Sequence, residues 1–303
     1  MENKKRLFGS AALFFAALIW GSSFVVVKDV LNVFPPLILM GIRFSAAFVL
    51  LSLFCIRKYL VFDKKDILAG LFLGVILFGG HCLQTYGARD TTPGKNAFLT
   101  TVYCVIVPFI YWATDKKRPD IYGVVAAFIC IAGIGLISLD SGLSIHIGDA
   151  LSLSCGIFFA IQIVVISKLA NKKYDIIAMT MLQFGFAAIL SWAAGLLFEE
   201  MPTSAISTGS ILAISYLALM PTLVAAIFQS LGQKHTSPAG AAVLMSLESV
   251  LGVAFSVLFY GEELTPRLIA GFLLVFAAVI TSETKLSFLK SLRKRNETVD
   301  EQK

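Results

Sequence analysis

Residues 84–109 read QTYGARDTTPGKNAFLTTVYCVIVPF, and residues 229–254 read QSLGQKHTSPAGAAVLMSLESVLGVA. The two stretches align without a gap at an offset of 145 residues. The identical pairs are Gln84/Gln229, Gly87/Gly232, Thr91/Thr236, Pro93/Pro238, Ala97/Ala242, Leu99/Leu244 and Val105/Val250. A shorter match pairs Arg43-Phe44 with Gln183-Phe184 at an offset of 140. Self-similarity at a fixed offset indicates that the chain contains an internal repeat.

Each copy of the repeat contains a Thr-Thr/Ser-Pro turn, at residues 91–93 and 236–238. Proline is favoured in the first turn of a helix, and a preceding threonine or serine can cap that helix. The turns therefore predict tight links between two helices in each half of the chain.

The composition around these stretches is that of a membrane protein. Hydrophobic residues make up 57% of the 303 residues, charged residues 15%, and the mean hydropathy is +0.84. Soluble domains keep roughly 25% charged residues. The net charge of +6 is therefore no indication of nucleic-acid binding. The five cysteines lie in apolar stretches without CxxC spacing, which predicts packing residues rather than metal ligands or disulfides.

Ten apolar runs are long enough to cross a hydrocarbon core, which needs roughly 20 helical residues. They lie near residues 8–27, 36–56, 67–87, 97–113, 121–139, 149–167, 176–197, 209–230, 239–260 and 268–284. Runs of this length predict helices rather than the strands of an outer-membrane barrel. Pro108 and Pro221 fall inside spans four and eight, where proline is expected to kink a helix and turn carbonyls toward a cavity. Gly70 and Gly74 form a GxxxG pattern in span three, which predicts close helix packing.

Basic residues predict the orientation. If the N-terminus is cytoplasmic, twenty lysines and arginines lie in inner segments and four, Lys28, Arg89, Lys95 and Arg267, in outer segments. The positive-inside rule then predicts a multi-pass protein of the cell (plasma or inner) membrane with both termini in the cytoplasm. An odd span number would place the basic C-terminal cluster outside, so the bias also favours ten spans.

The repeat divides the chain into residues 1–143, residues 144–285 and a charged cytoplasmic tail, 286–303. Because each half has five spans, the second half enters the membrane from the opposite side. The predicted fold is thus an all-α integral membrane protein of ten transmembrane helices in two inverted-topology five-helix repeats, an architecture typical of secondary transporters.

Several motifs carry a family resemblance: Trp20-Gly21-Ser22-Ser23-Phe24, Arg43, the Thr-x-Pro turns, Leu247-Glu248-Ser249-Val250 and Gly261-Glu262-Glu263-Leu264-Thr265. With them the chain resembles the drug/metabolite transporter superfamily, EamA type, over about residues 8–284. The resemblance implies a central cavity and export of amino acids or related small metabolites. The chain departs from the family pattern at Ser249, where proline is common, at Phe159, where many members have tryptophan, and in the Ala113-Thr114-Asp115 end of span four.

Two ionisable residues lie deep in predicted spans. Arg43 is roughly 10–12 Å from the outer end of span two and Glu248 roughly 18 Å from that of span nine, at 1.5 Å per residue. Such residues cost roughly 2.5–3.5 kcal/mol on insertion scales and usually mark functional sites. One interpretation is that Glu248 binds a substrate amine or a coupling proton and that Arg43 binds a carboxylate or Glu248. The other is a structural pair.

Further polar or aromatic residues in the spans complete the candidate substrate site. With Arg43 and Glu248, the set is Trp20, Ser23, Gln84, Thr101, Tyr103, Gln162, Gln183 and Gln229. Ser22, His81, Thr85, Thr100 and Ser246 are weaker candidates, and His81 is expected to be solvated near the outer end of span three. The alternative for all of them is hydrogen bonding between helices.

The sequence therefore predicts secondary transport of a small molecule, with a proton as a candidate coupling ion. No P-loop, zinc signature, nucleophile elbow or redox motif occurs, so neither an enzyme nor a cofactor is predicted. An importer or a proton-coupled efflux pump for organic cations is the alternative. A multi-span membrane enzyme is more distant, because it would need a polar cluster and a long loop at one face. The sequence does not specify the substrate, coupling ion, flux direction or oligomeric state.

Overall fold

The computed structural model describes residues 2–55, 63–116, 118, 121–138, 146–170, 174–202, 207–236 and 238–284, and in these residues all regular structure is helical. The α-helices are α1 (Glu2–Val30), α2 (Pro36–Cys55), α3 (Lys64–Asp90), α4 (Pro93–Thr100), α5 (Tyr103–Asp115), α6 (Ile121–Ser138), α7 (Ile147–Ala170), α8 (Ile176–Phe198), α9 (Thr208–Leu217), α10 (Ala225–His235), α11 (Pro238–Phe255) and α12 (Pro266–Thr284). Two π-helical segments, Ala218–Val224 and Ser256–Tyr260, follow α9 and α11.

Seven helical stretches of the described chain are long and apolar enough to cross a membrane. They are Leu7–Val30, Pro36–Leu53, Lys64–Asp90, Pro93–Asp115, Ile147–Leu169, Ile177–Phe198 and Thr208–His235. Three shorter apolar helices are Ile121–Ile137, Leu244–Tyr260 and Pro266–Thr281. Together they coincide with the ten predicted spans. The chain is an all-helical, multi-pass membrane protein.

Span four differs from the single helix expected over 97–113. It consists of α4 and α5, which are separated at Thr101 and Val102. The predicted cap is present, since the Thr92 side chain accepts a hydrogen bond from Lys95 N and Pro93 begins α4. In the second copy α11 likewise begins at its proline, and Ser237 lies outside the described residues.

Span eight changes its helical pitch at Pro221, inside the π-helical segment Ala218–Val224. Proline lacks an N–H and clashes with the preceding turn, and a π segment accommodates such an interruption by bonding five residues back. The N–H of Ala225 accordingly donates to Met220 O. Pro108, by contrast, lies within α5 without a π segment. The second π segment, Ser256–Tyr260, ends at Gly261, whose φ of 71° suits glycine.

Two pairs of helices, one helix of each pair from each half of the chain, pack antiparallel. In the α6–α12 pair, a Cβ on Gly133 would meet Gly271 O at 2.9 Å and Val275, and a Cβ on Gly271 would meet Gly133 O at 3.0 Å and Ile137. In the α2–α8 pair, residues late in one helix meet residues early in the other. Gly41 lies against Trp192, Gly185 against Phe48 and Gly195 against Ile38.

The Gly70-x-x-x-Gly74 pattern of α3 packs against α8 of the same chain, at Leu182 and Phe186. This confirms the prediction of close helix packing. The largest buried apolar cluster joins residues of α4, α5, α6, α7, α11 and α12, and Cys104 and Cys130 belong to it, as predicted for packing residues.

Three carboxylates mark one face of the bundle, which we call the acidic face: Asp149, Glu199 and Glu262. Glu199, after α8, accepts from the Leu37 and Ile38 N–H groups at the start of α2. Glu262, after α11, accepts from Gly94 N at the start of α4. Asp149, in the first turn of α7, accepts from Thr91, which follows α3.

Two contacts join helices at the opposite face. Near its start, α1 meets the last turn of α10 where Gly9 approaches Gly232. Lys168, near the end of α7, pairs with Asp115, the last residue of α5, at 2.5 Å. Successive helix ends therefore alternate between the two faces.

Candidate functional site

A central cavity with an empty volume of about 910 Å³, including its solvent-open part, lies between α1–α5, α7, α8, α10 and α11. Its walls are formed by Trp20, Ser23, Phe24, Val27, Arg43, Phe44, Leu77, His81, Gln84, Thr85, Ala88, Asn96, Thr100, Tyr103, Phe159, Gln162, Ile163, Gln183, Phe184, Pro221, Thr222, Ala226, Gln229, Met245 and Glu248.

Nine of the ten candidate substrate residues line this cavity: Trp20, Ser23, Arg43, Gln84, Tyr103, Gln162, Gln183, Gln229 and Glu248. Thr101 does not. It is fully buried, and its hydroxyl donates to Ala97 O at 2.9 Å. The neighbouring Thr100, the last residue of α4, lines the cavity instead.

Arg43 projects from α2 into the cavity wall and is only 5% exposed. Its Nε donates to Thr222 Oγ1 at 3.1 Å. Among the described residues no carboxylate lies within 4.0 Å of it, and its two terminal nitrogens have no hydrogen-bond partner. A guanidinium carries five N–H donors in a planar fork. Four donors on the two terminal nitrogens are therefore available to a ligand.

Glu248 projects from α11 and is also 5% exposed. Its Oε1 accepts from the Tyr103 hydroxyl at 2.9 Å. Its Oε2 has no hydrogen bond from the part of the chain that the structure describes. Glu248 and Arg43 share the cavity without forming an ion pair, so the direct contact considered from their similar depths is not present in this conformation.

The glutamine side chains of the candidate set make few and long hydrogen bonds. Gln84 Nε2 donates to Thr100 Oγ1 at 3.2 Å, and Gln162 Nε2 donates to Gln183 Oε1 at 3.4 Å. Gln229 Nε2 lies 3.7 Å from Met245 Sδ. Unlike a tight network between helices, such bonds can be exchanged for bonds to a ligand at small cost.

The two residues of α1 in the candidate site bond to backbone. Trp20 Nε1 donates to Pro221 O at 2.9 Å, so a carbonyl within the π segment faces the cavity wall, as predicted for Pro221. Ser23 Oγ donates to Trp20 O at 2.7 Å, one turn back in the same helix. Trp20 thereby ties α1 to span eight.

His81 was expected to be solvated, yet it is a half-buried part of the cavity wall. Its ring lies edge-on between Phe44 and Phe159, with centroid distances of 5.3 and 5.2 Å. Thr222 and Asn96 line the cavity without having been candidates. The one available signal for Thr222 was its position after Pro221.

Most of the cavity lining falls into pairs, one residue from each half of the chain. Ten pairs of lining residues are separated by 139, 140 or 145 positions, the offset depending on the helix: Trp20/Phe159, Ser23/Gln162, Phe24/Ile163, Arg43/Gln183, Phe44/Phe184, Leu77/Thr222, His81/Ala226, Gln84/Gln229, Thr100/Met245 and Tyr103/Glu248. Two of these pairs are in direct contact, Tyr103/Glu248 by a hydrogen bond and Phe44/Phe184 as stacked rings with centroids 6.2 Å apart.

Four lining residues of the first half have no lining counterpart: Val27, Thr85, Ala88 and Asn96. Val27 and Ala88 lie within three residues of the ends of α1 and α3, and Asn96 lies near the start of α4. All these helix ends belong to the acidic face. The centre of the cavity is therefore lined by paired residues of both halves. Its only extension, lined by residues of the first half, runs toward the acidic face.

The model of the EamA-like transporter family matches residues 7–139 and 146–283. A protein of Archaeoglobus fulgidus described as an uncharacterized transporter is 35% identical over 287 residues, covering 93% of this chain and 88% of its own. The uncharacterized inner membrane transporter YedA of Escherichia coli K12 is 26% identical over 290 residues, 93% of this chain and 92% of its own.

A Salmonella typhimurium protein described as a probable amino-acid metabolite efflux pump is 26% identical over 278 residues, covering 86% of this chain and 90% of its own. One protein of known crystal structure superposes on 95% of this chain and 99% of its own with a TM-score of 0.67, at 17% identity. This last similarity concerns the fold alone.

Proposed function

Since the chain belongs to the EamA-like transporter family, we propose that it is a secondary transporter that exports a small metabolite carrying both an amine and a carboxylate. The observation that carries the proposal is the pair of deep, separate charges in one cavity. Arg43 has unpaired terminal nitrogens, and Glu248 has an unpaired carboxylate oxygen, among the residues that the structure describes. The relative described as a probable amino-acid metabolite efflux pump supports the same substrate class.

The energetic argument starts from the cost of burying charge. An ionised group in a low-dielectric interior is tolerated when it is paired, hydrogen-bonded or functional. Arg43 keeps one hydrogen bond and no counter-charge among the described residues. A substrate carboxylate would supply the missing charge through bidentate bonds to the guanidinium, while a substrate ammonium would donate to Glu248 Oε2. A zwitterion satisfies both ends at once.

The proposal includes two inverted repeats, residues 1–143 and 144–285, followed by the tail 286–303. Support comes from the two family matches, one in each half. Further support is that α2 and α8, and α6 and α12, pack antiparallel at equivalent positions such as Gly133 and Gly271. Repeats of parallel topology would bring equivalent helices together in the same direction.

Alternating access follows from exchanging the conformations of the two repeats. In the present conformation the cavity extends toward the acidic face along Val27, Thr85, Ala88 and Asn96. The counterparts toward the opposite face, Ile166, Ser230, Gln233 and Ala241, line no part of this cavity.

The acidic face is proposed to be the outer one, with both termini in the cytoplasm of a cell whose inner membrane holds the chain. The support is the bias of twenty to four basic residues between the two sets of loops. Fusions to the C-terminus test it: green fluorescent protein is expected to fluoresce and alkaline phosphatase to be inactive. The reverse result would overturn the orientation.

A proton is the proposed coupling ion, carried by Glu248 when the substrate ammonium is absent. Both occupants use the same carboxylate, so binding of one excludes the other, which is the requirement for exchange. Efflux of organic cations is the alternative that Glu248 alone would favour. The unpaired Arg43 in the same cavity weighs against it, because like charges repel strongly where the dielectric constant is low.

The experiment uses purified protein in liposomes loaded with each of the twenty common amino acids, with flux measured with and without a pH gradient. Flux of at least one amino acid is expected, with loss in Glu248→Gln. The matched control is Glu263→Gln, since Glu263 is exposed at the acidic face and lines no part of the cavity. Absence of flux for every amino acid tested, or full flux in Glu248→Gln, would overturn the proposal.

A further inference from the structure

Span eight meets the charged end of the cavity at the π-helical segment around Pro221. The residue after this proline, Thr222, is 4% exposed and lines the cavity. Its hydroxyl donates to Leu217 O at 2.7 Å, a carbonyl to which Pro221, four residues along, has no N–H to donate. The Thr222 rotamer is thereby fixed by its own helix.

With its proton given to Leu217, the Thr222 hydroxyl presents its oxygen lone pairs to the cavity. Arg43 Nε donates to this oxygen at 3.1 Å. Nε is the donor on the inner edge of the guanidinium, and the group is planar. A bond at Nε therefore sets the rotation of the whole fork and leaves both terminal nitrogens unused by the described part of the protein.

We propose that Thr222 is a positioning residue that aims the Arg43 fork at the substrate carboxylate. The inference rests on the proposed function, since it assigns the orientation of the same site. Bidentate binding of a carboxylate needs a guanidinium held in the right plane, and side-chain freedom at Arg43 would cost affinity. The counterpart of Thr222 in the first half is Leu77, and that of Arg43 is Gln183. The carboxylate subsite is thus built on one side of the cavity.

The test compares Thr222→Val, which keeps the side-chain shape and removes the hydroxyl, with Thr222→Ser, which keeps the hydroxyl. Two probes are used in proteoliposomes: the amino acid with the highest wild-type flux, and its α-amide, in which a neutral carboxamide replaces the carboxylate. For Thr222→Val the KM of the amino acid is expected to rise about tenfold with Vmax within about twofold, as for loss of a charge-assisted hydrogen bond.

The amide gives the readout that a merely structural role would not move. Its inhibition constant is expected to change less than about twofold in Thr222→Val, and Thr222→Ser is expected to restore the wild-type KM. In an Arg43→Gln background, Thr222→Val is expected to have no further effect, because both changes remove one interaction. Equal losses for both probes, or additive losses in the double variant, would overturn the inference.

Thr222→Cys provides a second variant if valine prevents folding, because a thiol is a weaker hydrogen-bond partner of similar size. An intermediate rise in the KM of the amino acid alone is expected, and an unchanged KM would count against the inference. These failures are distinguishable from failure of the proposed function, in which the wild type itself would transport no amino acid.

Discussion

Tyr103 donates a hydrogen bond to Glu248 at 2.9 Å, and the two residues occupy aligned positions in the two halves of the chain, 145 residues apart. The contact therefore lies where equivalent points of the two halves meet. One partner is a phenol and the other a carboxylate. The two positions therefore correspond in the fold but differ in chemistry. Glu248 has no second hydrogen-bond donor among the described residues.

Tyr103→Phe removes this bond and keeps the ring. A net loss of about 1 kcal/mol is typical for one hydrogen bond, so the KM of the transported amino acid is expected to rise about fivefold. Kinetics of flux in proteoliposomes measure it. Tyr111→Phe is the matched control, because Tyr111 lies two turns along the same helix, next to Lys168 and outside the cavity. An unchanged KM in Tyr103→Phe would show that the hydroxyl does not support the carboxylate.

Ala88→Cys and Gln233→Cys test the exchange of conformations, because they are counterpart positions near opposite faces. Each is made in a functional variant lacking the five native cysteines. The thiol introduced at position 88 is expected to react with a membrane-impermeant reagent from the outside, and the thiol introduced at position 233 from the cytoplasmic side. The transported amino acid should change the two labelling rates in opposite directions. Labelling of both positions from one side would contradict alternating access through this cavity.

Gly271→Ala tests the antiparallel contact of α6 and α12. The new Cβ would meet Ile137 Cγ1 at 2.7 Å and Gly133 O at 3.0 Å. Overpacking of this kind costs about 1–3 kcal/mol, and a lower melting temperature in detergent is expected. Gly209→Ala is the control, since the nearest atom to its Cβ would be Ser207 Oγ at 3.6 Å. A melting temperature of Gly271→Ala equal to that of the wild type would mean that α6 and α12 accommodate the new Cβ without loss of stability.

Glu262→Gln tests the link across the acidic face. The Glu262 carboxylate accepts from Thr92, from Gly94 N at 2.9 Å and from Ser256 Oγ at 2.5 Å. An amide has a single acceptor oxygen, so at least one of these donors loses its partner. We expect a loss of about 1–2 kcal/mol of stability, measured by thermal unfolding in detergent. The exposed neighbour provides the control as Glu263→Gln, for which no change is expected.

Much of the fold was predictable because lipid leaves the backbone so few choices. The bounds of the spans follow from the lengths of the apolar runs. The irregularity at Pro221, a π segment, could be expected because proline interrupts helical hydrogen bonding wherever it occurs. The π segment at Ser256–Tyr260 contains no proline and could not be predicted. The break after Thr100 was missed for a similar reason: its surroundings are as apolar as the helices on either side.

The site was predictable as a set of residue types but not as a set of partners. Polar residues in an apolar span are few, so most of the candidates were found from the sequence. The hydrogen bond between Arg43 and Thr222 depends on which helices are neighbours. The sequence does not single out the Thr222 hydroxyl, 179 positions from Arg43, as its partner. Thr101 and Thr100 differ by a rotation of about 100° about the helix axis, which hydropathy does not resolve.

The unequal chemistry of the paired positions has a kinetic consequence. In the proposed exchange of the two repeats the shape of the cavity is reproduced, but Arg43 and Glu248 stay on their own helices. The substrate would therefore meet a different electrostatic field in the outward-open and the inward-open state. A bound molecule can bias an equilibrium only through different affinities for the two states. The protein is therefore expected to show unequal KM and Vmax for substrate offered on its two sides. The direction of net flow is set by the gradients across the membrane alone.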